Sequence, residues 1–165
     1  MVDFSDFGEI ACSIDSDGSY NVGVAWDKKT GCESYVRDRP PFGVDMPVAH
    51  GGTGVNPCPG ELLSTAVGSC FIGTFLVFQR QLQVELLDMR AFVKGTLELG
   101  TEGENDGKYD ITKIDMHVKV KIRGDDFEKE VLEDCLRMTK MHCPTTRLIE
   151  RSTPVNIITE IELVE

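Results

Sequence analysis

The chain has 165 residues, within the ~100–200 that one domain takes, and is expected to fold as a single domain, residues 1–165, with a sizeable core. With 28 acidic against 17 basic residues and a formal charge of −11, it is repelled by phosphate backbones and anionic lipid, which excludes nucleic acid and membrane surfaces as partners. Six cysteines follow an N-terminus, MVDFSDFGEI, with neither the basic start nor the apolar stretch of an export signal. The expected compartment is therefore the cytoplasm, where thiols stay reduced and a functional disulfide is transient or catalytic.

Phe7 to Ile14 and Tyr20 to Trp26 are rich in strand formers and flank the turn-forming stretch Asp15 to Ser19, which predicts a hairpin. A third strand is expected over Glu33 to Val36, followed by a proline- and glycine-rich loop from Arg39 to Pro57. Pro59 suits the first turn of a helix with Cys58 as its cap, and the helix is expected to fade near Gln83. From Leu62 to Gln79 there is no charge, and apolar residues cover most of the circumference, so the helix is expected to be buried on every side. A membrane span is rejected: Ser64, Thr65, Gly68, Ser69, Gly73 and Thr74 dilute the run, and its flanks lack a positive-inside signal.

Leu87 to Leu99 and Tyr109 to Ile122 predict two long strands joined by the polar loop Gly100 to Gly107, the second alternating apolar and polar residues from Ile111 to Ile122. Asp125 or Asp126 caps an amphipathic helix that ends near His142, with Phe127, Val131, Leu132, Cys135 and Met138 at helical spacing. Cys143-Pro144 repeats the Cys58-Pro59 signature and opens a short helix to about Glu150, and Val155 to Val164 closes the chain as a strand. The order of elements is that of an α+β fold. An obligate homodimer is expected, because the apolar helix needs cover all round and the long strands need protected edges.

Thiolate character separates the cysteines. Cys58 and Cys143 precede prolines at helix starts, where the positive helix end favours thiolate, whereas Cys70 sits in mid-helix and needs a cation or another helix end brought to it. Cys12, Cys32 and Cys135 read as small buried hydrophobes or idle thiols.

The runs GGTGVNPCPGELLSTAVGSC at residues 51–70 and MHCPTTRLIERSTPVNIITEIEL at residues 141–163 resemble the OsmC/Ohr family of osmotically induced and organic-hydroperoxide-resistance proteins. The resemblance implies an OsmC-like fold, with antiparallel sheets around a buried central helix, in an intertwined homodimer with active sites at the subunit interface. It also implies a thiol-dependent hydroperoxide reductase of oxidative-stress defence, in which a peroxidatic Cys70 forms a sulfenic acid. A resolving Cys143 captures it as a disulfide, which a dithiol reductant such as a lipoyl group reduces, with no cofactor. The family further uses an arginine to stabilise the thiolate and a glutamate to hold that arginine. In this sequence the glutamate position directly after the proline is Gly60 and the carboxylate is Glu61, one place later and turned about 100° on a helix. Residues 1–36 hold no arginine, so the first candidates are Arg37 and Arg39.

Two other readings stand beside this one. The fold without the chemistry makes a non-catalytic protein or a redox or electrophile sensor that binds a small apolar ligand at the interface. Thiolate ligation by Cys58, Cys70, His142 and Cys143 makes a zinc site, although the sequence has no Cys-x-x-Cys pair. Cys58 also competes with Cys143 as the resolving thiol.

Overall fold

The structure, a computed structural model, describes residues 20, 22–36, 39–82, 85–101 and 106–164. The hairpin strand expected over Phe7 to Ile14, the turn Asp15 to Ser19, Cys12 and Arg37 lie outside the described residues. The backbone gathers into two units, Met1–Leu62 and Leu63–Glu165.

In the first unit, β1 (Gly23–Trp26), β2 (Gly31–Tyr35) and β3 (Phe42–Asp45) form an antiparallel sheet in that order. Asp27 closes the β1–β2 turn by accepting from the N–H groups of Lys29 at 2.7 Å and Gly31 at 3.2 Å. The third strand falls inside the stretch expected to be loop, where Phe42 to Val44 pair with Cys32 to Ser34 across a register that the local sequence does not announce.

The loop that follows is organised by Asp45. Its carboxylate, 4% exposed, accepts from the Thr30 hydroxyl at 2.9 Å and the N–H groups of Met46 at 2.8 Å, Thr53 at 2.8 Å and Gly54 at 3.1 Å. The Thr53 hydroxyl donates to the same carboxylate. These bonds, that of Thr53 first, hold the Asp45 carboxyl far below the usual carboxylate range, against a smaller opposing effect of burial. A depressed folded-state pKa stabilises the fold fully above the unfolded value of ~3.9, and that contribution disappears as pH falls through the folded value. Asp45→Asn is thus expected to lower the melting temperature at neutral pH and to flatten its fall below about pH 4. Thermal melts against pH check this, and parallel wild-type and variant curves would refute it.

The second unit contains most of α1 (Pro59–Leu82), followed by β4 (Glu85–Leu99), β5 (Tyr109–Arg123), α2 (Asp126–His142), α3 (Pro144–Ile149) and β6 (Val155–Val164). β4 and β5 pair antiparallel along their whole length, as expected of a hairpin. β6 joins β5 in parallel, so the sheet is mixed rather than antiparallel throughout. A parallel return needs a crossover, and α2 with α3 is that crossover.

Alternation in β5 sends Ile114, Met116, Val118, Val120 and Ile122 into the core, where they meet Val67, Phe71 and Phe75 of α1 and Leu132, Cys135 and Leu136 of α2. The opposite face carries ion pairs such as Lys119–Glu160 at 2.8 Å and Arg123–Glu85 at 3.0 Å, exposed and individually worth little. Asp125 caps α2 through a reciprocal box: its carboxylate accepts from the Phe127 N–H at 2.8 Å, and its own N–H donates to Glu128 at 3.0 Å.

α1 departs from the expectation of burial on every side. Val67, Gly68, Phe71 and Phe75 are buried, while Ala66, Ser69, Gly73 and Val77 are exposed. The helix has the length and apolarity of a membrane span, yet it spends one apolar stripe on a protein core. Gly68 sets its approach to β4, since a Cβ there would lie 3.0 Å from Val93 Cγ2 and 3.9 Å from Ala91 Cβ. Gly68→Val is expected to push α1 off the sheet and destabilise the protein by about 1–3 kcal/mol, as overpacked cores do. Urea unfolding measures this, and an unchanged midpoint would contradict it.

Candidate functional site

Cys70 projects from the middle of α1, half-buried and packed against the core. Its carbonyl accepts from the Thr74 hydroxyl at 2.9 Å.

Cys143 is fully buried at the junction of two helices. Its N–H donates to the Thr139 carbonyl at 2.8 Å to close α2, and its carbonyl accepts from the Arg147 N–H at 3.0 Å to open α3, with Pro144 in the first helical position. The proline arrests α2 and pre-sets α3, which aims the cysteine side chain inward. The Cys143 sulfur lies 3.4 Å from the Thr145 hydroxyl.

Burial pushes the Cys143 thiol up, but hydrogen-bonding groups outweigh it and bring it below the usual thiol range: the Thr145 and Thr146 hydroxyls, the Thr146 N–H and the thiol of Cys70. Cys70 packs against the core that holds Cys143, and its thiol acts on the Cys143 sulfur. Cys135 provides the contrast. It donates to the Phe75 carbonyl at 4.0 Å, and burial, only partly opposed by Thr139, pushes its thiol up to about 11. A neutral thiol of that kind is core filler, as its place on the apolar face of α2 suggests.

Of the other expected site residues, Cys58, Glu61 and Arg39 belong to the first unit and His142 to the second. The Cys58 N–H donates to the Glu61 carboxylate at 2.7 Å, so that Glu61 caps the start of its own helix. Arg39 is exposed, and its N–H donates to the Val36 carbonyl at 3.3 Å. His142 is exposed with its ring 5.5 Å from that of Phe78. Among the described residues no group of three or more His, Cys, Asp or Glu side chains gathers as a metal centre would require.

Sequence reasoning passed over Thr145 and Thr146. The signal was present in Cys143-Pro144-Thr145-Thr146, since a cysteine at a helix cap has the second and third helical residues as its nearest donors.

A family model described as OsmC-like protein matches residues 51–158. The chain belongs to this family. No curated protein matches it by sequence. Among solved structures, the OsmC-like protein is similar to an OsmC-like protein from Mycoplasma pneumoniae, at 15% identity and a TM-score of 0.70 over 90% of this chain and 99% of the other. It is also similar to the organic hydroperoxide resistance protein OhrB of Bacillus subtilis, at 20% identity and a TM-score of 0.58 over 85% and 96%. An organic hydroperoxide resistance protein from Elizabethkingia anophelis, crystallised with thiocyanate bound, is 15% identical with a TM-score of 0.63 over 87% and 94%. At such identities the likeness is one of fold, and it extends over nearly the whole of each of these chains.

Proposed function

We propose that this OsmC-like protein is a thiol-dependent hydroperoxide reductase acting on small organic hydroperoxides, with Cys70 as the peroxidatic and Cys143 as the resolving residue. The observation that carries the reading is the meeting of these two thiols in one core, one of them shifted toward thiolate. The Cys70 thiolate attacks the terminal oxygen of the hydroperoxide; the O–O bond breaks, an S–O bond forms, and the alkoxide leaves as the alcohol after taking a proton. A sulfenic acid remains on Cys70, and the Cys143 thiolate converts it to a disulfide with release of water. A dithiol such as a lipoyl group then reduces the disulfide by exchange.

The arginine and glutamate of the activating pair are assigned to Arg37 or Arg39 and to Glu61, by the family's arrangement alone. A homodimer completes the proposal. The exposed stripe Ala66, Ser69, Gly73 and Val77 on α1 is uncharged and small enough for close helix contact, which supports pairing with a second copy.

One observation favours a second reading. The full burial of Cys143 suits a sensor, in which oxidation locks a disulfide that small reductants reach slowly. The deciding experiment is consumption of cumene hydroperoxide by the reduced protein with a dithiol present, followed by mass mapping. Sustained turnover with a Cys70–Cys143 disulfide establishes the reductase. A single oxidation event per chain points to the sensor, and no cysteine oxidation at all refutes both.

A further inference from the structure

Thr146 is fully buried, and its hydroxyl has no hydrogen-bond partner among the described residues. Burying an unpaired hydroxyl is unfavourable, and valine would fill the same volume without that penalty. Stability alone therefore gives no reason for a hydroxyl at this position.

Its surroundings supply one. Thr146 is the third residue of α3, whose cap is Cys143, and its hydroxyl and N–H both act on the Cys143 sulfur in favour of the charged form. Neither closes a hydrogen bond of full geometry on the neutral thiol. A thiol is a weak acceptor, whereas a thiolate is a strong one. The Thr145 hydroxyl, at 3.4 Å, stands on the same sulfur. Of the titratable groups, Cys70 reaches the sulfur from α1, Cys135 of α2 shares the core, and His142 of α2 is exposed against Phe78.

We propose that Thr146 is the positioning residue of the resolving step: its unpaired hydroxyl is kept beside Cys143 to donate to the sulfur once that sulfur becomes the attacking thiolate. This rests on the reading of Cys143 as the resolving residue. In the step itself, the Cys143 thiolate attacks the sulfur of the Cys70 sulfenic acid. The S–S bond forms and the S–O bond breaks, and hydroxide leaves and takes a proton from solvent. The hydroperoxide is the ultimate oxidant, the Cys70 sulfur is reduced from the sulfenic to the disulfide level, and the Cys143 sulfur is oxidised to it.

The test is the pH titration of Cys143 in the reduced full-length protein, read from its Cβ chemical shift with carbon-13-labelled cysteine. Wild type is compared with Thr146→Val, Thr146→Ala and Thr146→Ser. The valine and alanine variants are expected to raise the midpoint by about one pH unit, a tenfold loss of thiolate at neutral pH, and serine to restore it. The valine variant should melt no lower than wild type, because it removes an unpaired hydroxyl at constant volume. Either an unchanged midpoint in both hydroxyl-deleted variants or a serine variant that fails to restore it overturns the proposal. The titration needs no peroxide, so a wild type that does not turn over hydroperoxide defeats the reductase reading, whereas an unmoved midpoint defeats the action of Thr146 on the Cys143 thiolate, and the two failures are told apart.

Discussion

Cys70→Ser is expected to reduce hydroperoxide consumption to the uncatalysed background. A serine hydroxyl is not ionised near neutral pH and forms no stable counterpart of a sulfenic acid, so the variant loses both the nucleophile and the acceptor of the oxygen atom. Cys143→Ser behaves differently. Its Cys70 is expected to react once, giving a sulfenic acid that dimedone traps and mass spectrometry locates, while turnover with a dithiol should slow because no internal thiol forms the disulfide. The contrast between the two variants is the informative result, since a protein that merely binds peroxide would show neither loss. Retained turnover in Cys70→Ser would remove the peroxidatic assignment. Equal turnover in Cys143→Ser and wild type would transfer the resolving role to another thiol, Cys58 among them.

Phe71→Ala is expected to destabilise the fold by about 3–5 kcal/mol, the range for deleting a buried aromatic ring. Phe71 has no solvent exposure and lies on the core stripe of α1 with Val67 and Phe75, against the inward face of β5. Typical domains are stable by only ~5–15 kcal/mol, so this one change removes a large share of the total. Urea unfolding should show a lower midpoint at unchanged slope, with a smaller loss for Phe71→Leu, which leaves a smaller cavity. Because Phe71 directly follows Cys70, reactivity at Cys70 is expected to become less uniform as the stripe loosens. A Phe71→Ala midpoint within about 1 kcal/mol of wild type would show that the side of α1 holding Phe71 is not a load-carrying part of the core.

The elements with a strong local pattern were legible in the sequence. Alternation in Ile114 to Ile122 marked β5 and its inward face, Asp125 with Glu128 marked the start of α2, and the two Cys-Pro pairs marked the starts of α1 and α3. The short β3 was not legible, since Phe42–Asp45 lies among prolines and glycines and becomes a strand by pairing with β2. Nor was the parallel docking of β6, because an isolated strand pattern has no direction. The amount of α1 that its own unit buries was also hidden, because an apolar surface says that cover is needed but not what supplies it.

Element order, helix caps and the inward residues of the long strands could be read from the chain alone, since they rest on periodicity and turn chemistry within a few residues; the likeness to the OsmC-like family was carried by the motif runs at residues 51–70 and 141–163. Closure of the fold settles what no local pattern could: that Cys143 is wholly enclosed, that the Cys70 thiol and the groups of Thr145 and Thr146 act on its sulfur, and that burial pushes the Cys135 thiol up. Thiol acidity is a balance between desolvation and nearby donors. That balance exists only once α1, α2 and α3 have closed over the sheet and brought groups far apart in the chain to one sulfur.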